Sequence, residues 1–253
     1  MPVTYASYLK LDELLALQQP RSDGPEHDEM LFIIVHQVYE LWFKELLHEL
    51  DYLQRLLRGT AADRTRAGHT LKRILTVLKV MVAQIDILET MTPLEFTSFR
   101  DRLESGSGFQ STQFRELECV LGVRRAEHRE RYPEARFRAP GLWDAFLAAL
   151  AQGGHAVPPE QLKRDPTKPI EPSPALQRVL VDVYRRDAAL AGLCERLVDL
   201  DEGFQEWRYR HVKMVQRTIG TKHGTGGSAG AEYLMRTLNQ PAFPDLWAIR
   251  TEL

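Results

Sequence analysis

From Asp28 to about Leu57 or Arg58 the chain keeps apolar side chains at helical spacing: Val35, Tyr39, Trp42, Leu46, Leu50, Leu53 and Leu57 hold one face. The stretch MLFIIV, taken alone, could also be a buried strand, but a strand ends after about four to eight residues and this period persists for about six turns. Asp28 stands where an N-cap belongs and Gly59 where the helix stops. A stripe of that length is covered only by other long elements, and the chain supplies them. Residues 69–90 form a second amphipathic helix, and from about Ala175 a helical pattern runs through Cys194 and Gly203 to Ile219, as two helices or one kinked one. No stretch alternates at period two, and no long repeat is visible. The expected fold class is all-α, a helical bundle in one domain spanning 1–253.

The remaining segments punctuate that bundle. Residues 1–26, with Tyr5, Tyr8, Leu9, Leu11, Leu14 and Leu15, are too short to fold alone and read as an N-terminal arm that docks on its own chain or crosses to a neighbour. Thr92-Pro93-Leu94-Glu95 is a capping box with proline in the first turn, so a helix starts sharply at Pro93. Ser105-Gly-Ser-Gly-Phe109 breaks it, and helix resumes to about Gly122. Residues 123–140 read as a solvated connector, because glutamates are interspersed among the six arginines between Arg124 and Arg138. Residues 153–174, with two glycines and six prolines, read as an ordered loop or linker. Short helices are expected over 141–152, over Glu232–Leu238 and in the closing PAFPDLWAIRTEL.

Hydrophobic content of 43% and a formal charge of −2 give no global field for nucleic acid or membrane, which leaves small ligands as the expected partners. The two cysteines, Cys119 and Cys194, match no zinc spacing and suit a reducing compartment. The N-terminus lacks the apolar core of a secretory signal, and no run of 18 apolar residues occurs, so the expected location is cytoplasmic.

Chemistry concentrates in FQEWRYRHVKMVQRTIGTKHGTGGSAG. Phe204, Trp207, His211, Val215 and Thr218 share one helical face, which sets one imidazole in an apolar wall. Such a histidine is either a satisfied core residue or an axial ligand to haem iron, which needs a greasy slot and one nitrogen donor. Gly220, Gly224, Gly226, Gly227 and Gly230 then make a loop that can move or bring N–H groups to an anion; it is not a P-loop, since it follows a helix and lacks Gly-Lys-Ser/Thr. Phe96 and Arg100 lie one turn apart, and the residues alone favour a surface arginine over a fork for carboxylate. Glu45-Leu-Leu-His48 has di-iron spacing but no second Glu-x-x-His to face it.

Taken together, TYASYLKLDELLALQ, HDEMLFIIVHQVYELWFKELLHELD, TPLEFTSFRDRLESGSGFQSTQFRELE and WRYRHVKMVQRTIGTKHGTGGSAGAEYL resemble the tryptophan 2,3-dioxygenase family from residue 4 to the C-terminus. The arginine-rich connector and the proline-rich linker resemble it least. The resemblance implies b-type haem, ferrous when active, with O2 as co-substrate and L-tryptophan opened to N-formyl-L-kynurenine, the first step of tryptophan catabolism. It makes His211 the haem ligand and His36 the distal histidine that meets the indole N–H. It sets Phe32 in the indole pocket, Arg100 on the substrate carboxylate, Thr225 on the ammonium and carboxylate, and Ser107 near the haem edge. Trp207, one turn before His211, is counted with Ser107 among the cofactor contacts. Phe96 stands where some members have tyrosine. Tyr5 matches a tyrosine that reaches the pocket from a neighbouring subunit, in a family of homotetramers, dimers of dimers.

Overall fold

A computed structural model describes residues 2–225, 234–235 and 238–253, and among these no strand occurs. The arm holds α1, Tyr5–Leu9, and α2, Leu11–Leu15. The frame is α3, Asp28–Leu57; α4, Ala61–Leu88; and, much later, α11, Ala188–Ile219. Between them come α5, Pro93–Arg100; α6, Thr112–Val120; α7, Glu134–Arg138; α8, Leu142–Gln152; α9, Pro159–Leu162; and α10, Pro174–Arg186. A closing helix, Pro244–Ala248, ends in a 3-10 turn, Ile249–Thr251. The all-α expectation holds. The helix expected over Glu232–Leu238 lies largely outside the described residues.

α4 packs its apolar stripe on both α3 and α11, while α3 packs also on α6 and α8, and α11 on α10. Leu53 of α3 and Ile74 of α4 have no exposed surface, and Leu197 of α11 is 1% exposed. Burying each such side chain contributes about 1.5–3 kcal/mol. Polar ties fix the register of α3 on α4: the Tyr39 hydroxyl donates to the Met81 carbonyl at 2.8 Å, and Gln84 Nε2 donates to the Val35 carbonyl at 3.1 Å. At Gly203 α11 comes so near α4 that an added Cβ would meet Leu78 Cδ2 at 2.8 Å. Trp143, Phe146 and Leu147 drive α8 into the same core, fully buried.

Three boundaries differ from the expectation or resolve it. α4 begins at Ala61, well before residue 69, because Thr60 and Asp63 form a reciprocal cap: Thr60 N–H donates to Asp63 at 2.9 Å and Asp63 N–H to the threonine oxygen at 3.4 Å. Asp28 is the first helical residue and not a cap, since His27 precedes it without a side-chain bond. The run after Ala175 is two helices, parted at Asp187, whose carboxylate accepts the Leu190 N–H at 2.9 Å.

The connector 123–140 is not simply solvated. Arg124, Arg125, Tyr132 and Phe137 are buried, and Arg124 donates to the carbonyls of Phe137 at 3.2 Å and Ala139 at 2.8 Å. A guanidinium can enter the fold when backbone oxygens satisfy it. Residues 153–174 are tied down as well, Arg164 bridging to Asp144 at 2.6 Å. No helix among the described residues is long and apolar enough to cross a membrane.

Candidate functional site

The amino-terminal half of α3 and the carboxy-terminal half of α11, with α5, α6 and the Gly106–Ser111 turn, enclose a cavity of about 780 Å³. Its size lies within the range of small-molecule and cofactor sites.

From α3 come Phe32, His36 and Glu40 at one-turn spacing. The His36 ring packs on Phe32 with centroids 4.0 Å apart, and its Nδ1 lies 2.7 Å from the Phe32 carbonyl. A carbonyl only accepts, so Nδ1 carries the proton and Nε2 keeps its lone pair. His36 lines the cavity and keeps exposed surface, and the packing around it holds its pKa below the ordinary 6.5. A neutral acceptor results.

α5 is started by Thr92, whose N–H donates to the Glu95 carboxylate at 2.6 Å, with Pro93 in its first turn. It delivers Phe96, 5.8 Å from Phe32, and anchors itself through the fully buried Phe99. One turn after Phe96, Arg100 is half-buried and lines the cavity, where the surface reading had left it outside. Its Nη2 donates to the His223 carbonyl at 2.5 Å, and its Nε is buried with no partner. A fork partly committed to a backbone oxygen can exchange that oxygen for a carboxylate.

Ser107 caps the following turn, its hydroxyl oxygen accepting the Phe109 N–H at 3.3 Å, and it too lines the cavity. Thr225 closes over the same turn by donating to the Gly106 carbonyl. Gly220 ends α11 with φ 60, a left-handed value that favours glycine. Gly226, Gly227 and Gly230 lie outside the described residues.

On α11 the rings of Trp207 and His211 stack, 5.4 Å apart and 10° from parallel, while Phe114 lies 5.3 Å from Trp207. No described residue hydrogen-bonds the His211 ring. Burial first, and His36 second, push its pKa down to about 4. His211 is therefore a neutral nitrogen donor at the edge of a largely apolar cavity. That chemistry fits haem iron, which takes one imidazole and an apolar slot. Among the described residues no group of three or more His, Cys, Asp or Glu side chains could hold a bare metal ion, and His48 is exposed on the far face of α3.

The cavity thus gathers Phe32, His36, Phe96 and Arg100 with Ser107, Trp207, His211 and Thr225. Tyr5 is not among them: it is 77% exposed on the arm. Sequence reasoning missed Glu40, Gln113 and the charged group Arg115, Glu118, Arg125 and Arg208, all on the cavity wall. Arg115 and Glu118 at i, i+3 were a visible local pair, but what joins them to Arg125 and Arg208 is tertiary.

A model of the family described as tryptophan 2,3-dioxygenase matches residues 1–141 and 172–253. The match takes in the arginine-rich connector, which had been expected to diverge, and omits most of the proline-rich linker together with α8. The chain is 61% identical over 259 residues to the tryptophan 2,3-dioxygenase of Herpetosiphon aurantiacus, covering 99% of this chain and 98% of that protein. It is 58% identical to the enzyme of that name from Anaeromyxobacter sp. strain K, covering 99% and 96%. For that of Caulobacter vibrioides the identity is 45%, covering 99% and 98%.

Proposed function

The chain belongs to the tryptophan 2,3-dioxygenase family, and we propose that it is a haem-dependent dioxygenase converting L-tryptophan and O2 to N-formyl-L-kynurenine. Both oxygen atoms enter the product, across the indole C2–C3 bond. The observation that carries this reading is the unpartnered neutral imidazole of His211 on the wall of a cavity that also holds His36 and Arg100. When bound, b-type haem supplies the oxygen chemistry from ferrous iron, with His211 as the protein's ligand and Trp207 and Ser107 beside it.

The chain's own residues bind and orient. Arg100 takes the substrate carboxylate on its fork, and Thr225 holds the ammonium and carboxylate. Phe32 and Phe96 pack against the indole, and His36 accepts the indole N–H at Nε2. An electron-rich indole reacts without losing that proton, so His36 positions rather than deprotonates. Fixing the C2–C3 edge this way is the protein's main lever on rate.

A homotetramer, assembled as a dimer of dimers, is proposed for the active form, with Tyr5 reaching a neighbour's pocket. The exposure of Tyr5, Tyr8 and Leu15 on the arm supports it. One domain over 1–253 is supported by a buried cluster running from Val35 to Ile249. The proposed location is the cytoplasm, in keeping with Cys119 and Cys194 as buried free thiols.

Turnover of L-tryptophan in air by the haem-loaded, reduced chain tests the reading. Accumulating N-formyl-L-kynurenine supports it, and a loaded, tetrameric chain that makes none refutes it.

A further inference from the structure

The segment from Arg100 to Ser107 begins and ends on the cavity wall. Between those residues the chain turns back sharply: the Gly106 N–H donates to the Leu103 carbonyl at 2.7 Å, which closes a β-turn around Glu104 and Ser105. Glu104 holds φ 50 and ψ −115. Those angles lie close to the values of about 60° and −120° at the first central residue of a type II′ turn, a place that glycine normally takes because a Cβ is crowded there. A glutamate in it stores strain, and such strain persists only where surrounding contacts impose it. Arg21 supplies contacts of that kind, its Nη2 donating to the Glu104 carboxylate at 2.9 Å and its Nη1 to the Arg102 carbonyl at 3.2 Å. Arg21 is itself held. Its own N–H and that of Ser22 donate to the buried Glu29 carboxylate, in the first turn of α3, at 2.8 and 2.9 Å. The turn also belongs to the site: the Gly106 carbonyl accepts the Thr225 hydroxyl, and Leu103 and Gly106 line the cavity.

We infer that Arg21 and Glu104 are positioning residues for the amino-acid end of the substrate. Their ion pair, anchored on α3, keeps the chain in a turn that a glutamate would otherwise leave, and that turn sets the Gly106 carbonyl where Thr225 meets it. Neither side chain lines the cavity, so both act through the turn. The inference rests on the proposed roles of Arg100 and Thr225 in holding tryptophan. Both side chains of the pair are largely exposed, so it adds little to global stability. Its effect falls on which conformation of the turn is populated.

The test measures tryptophan kinetics and haem content in haem-loaded, reduced chains. Glu104→Ala keeps a Cβ in the strained position and removes the carboxylate, so KM for tryptophan should rise about two- to fivefold, the range an exposed ion pair allows, with kcat and haem content unchanged. Arg21→Ala should do the same. Glu104→Gly takes the turn without strain and should return KM to the wild-type value, and in that background Arg21→Ala should add nothing. A wild-type KM in both alanine variants overturns the inference. So does a glycine variant that fails to restore KM, or an Arg21→Ala penalty that persists beside glycine. Loss of haem together with the rise in KM would show a general structural role and overturns it too. Wild-type turnover with unaffected variants leaves the proposed function standing, whereas a loaded wild-type chain that makes no product overturns both.

Discussion

The His36 imidazole donates a hydrogen bond from Nδ1–H to the Phe32 carbonyl, 2.7 Å away, one turn back on α3. That bond leaves Nε2 as the acceptor at the cavity, and it fixes the ring through a backbone atom that substitution cannot remove. Replacing His36 with alanine should lower tryptophan turnover while haem binding persists. Complete loss of turnover with normal tryptophan affinity would show an obligatory base instead.

The pH arm of that prediction follows from burial, which lowers the His36 pKa below 6.5. The neutral acceptor form then predominates at and above pH 6.5 and becomes the minority only at some pH below it. The pH profile of kcat/KM should show no His36-dependent step at or above 6.5. A step there that vanishes in His36→Ala contradicts the assignment.

His211→Ala should abolish haem binding or the five-coordinate ferrous spectrum. Because the His211 pKa lies at about 4, protons compete for its lone pair only near that pH. Haem should therefore stay bound on acidification well past 6.5, as read from the Soret band. Release with a midpoint near 6.5 would point to an ordinary exposed histidine as the ligand.

Much of this was legible in the chain. α3 ends at Leu57 as its period predicts, and Pro93 opens α5 because Thr92 and Glu95 stand three residues apart, the capping-box spacing. The start of α4 was obscured because AADRTRAGHT buries little beyond the small Ala67, so the period is faint; the Thr60–Asp63 cap was the available signal. His211 showed its apolar face locally, but not whether its nitrogens were satisfied, which depends on what α3 and α6 bring opposite. Arg100 read as a surface residue because its partner at His223 is 123 positions away. Arg125 looked solvated because its pairing with Glu118 depends on the turn that follows α6, and Arg208 joins that carboxylate from 90 positions away.

Arg100→Ala removes a charge-assisted pair worth about 2–3 kcal/mol, so the tryptophan requirement should rise roughly a hundredfold with haem content unchanged. Steady-state kinetics against tryptophan checks this. An unchanged KM would put another group on the carboxylate.

Phe96 lies on the α5 face that carries Arg100 and packs on Phe32. Phe96→Tyr adds a phenol where the substrate carboxylate is expected, and one neutral hydrogen bond is worth about 1 kcal/mol, or roughly fivefold in affinity. Tryptophan affinity measured by spectral titration should improve by that factor. A weakened affinity would mean that the ring has no room for the hydroxyl.

Tyr5 is 77% exposed within one chain. If it completes a neighbour's pocket, Tyr5→Ala should lower turnover while haem occupancy stays the same, and sedimentation should show a tetramer. A fully active monomer rules the arm out of the site.

The most direct measurement is the product mass from haem-loaded, reduced chain turning over L-tryptophan under oxygen-18 gas, with the ferrous spectrum recorded in the same sample. The account predicts a five-coordinate ferrous haem and N-formyl-L-kynurenine bearing both labelled atoms. A product with one labelled oxygen and an intact indole ring, or a folded, tetrameric chain that takes up no haem, would contradict it.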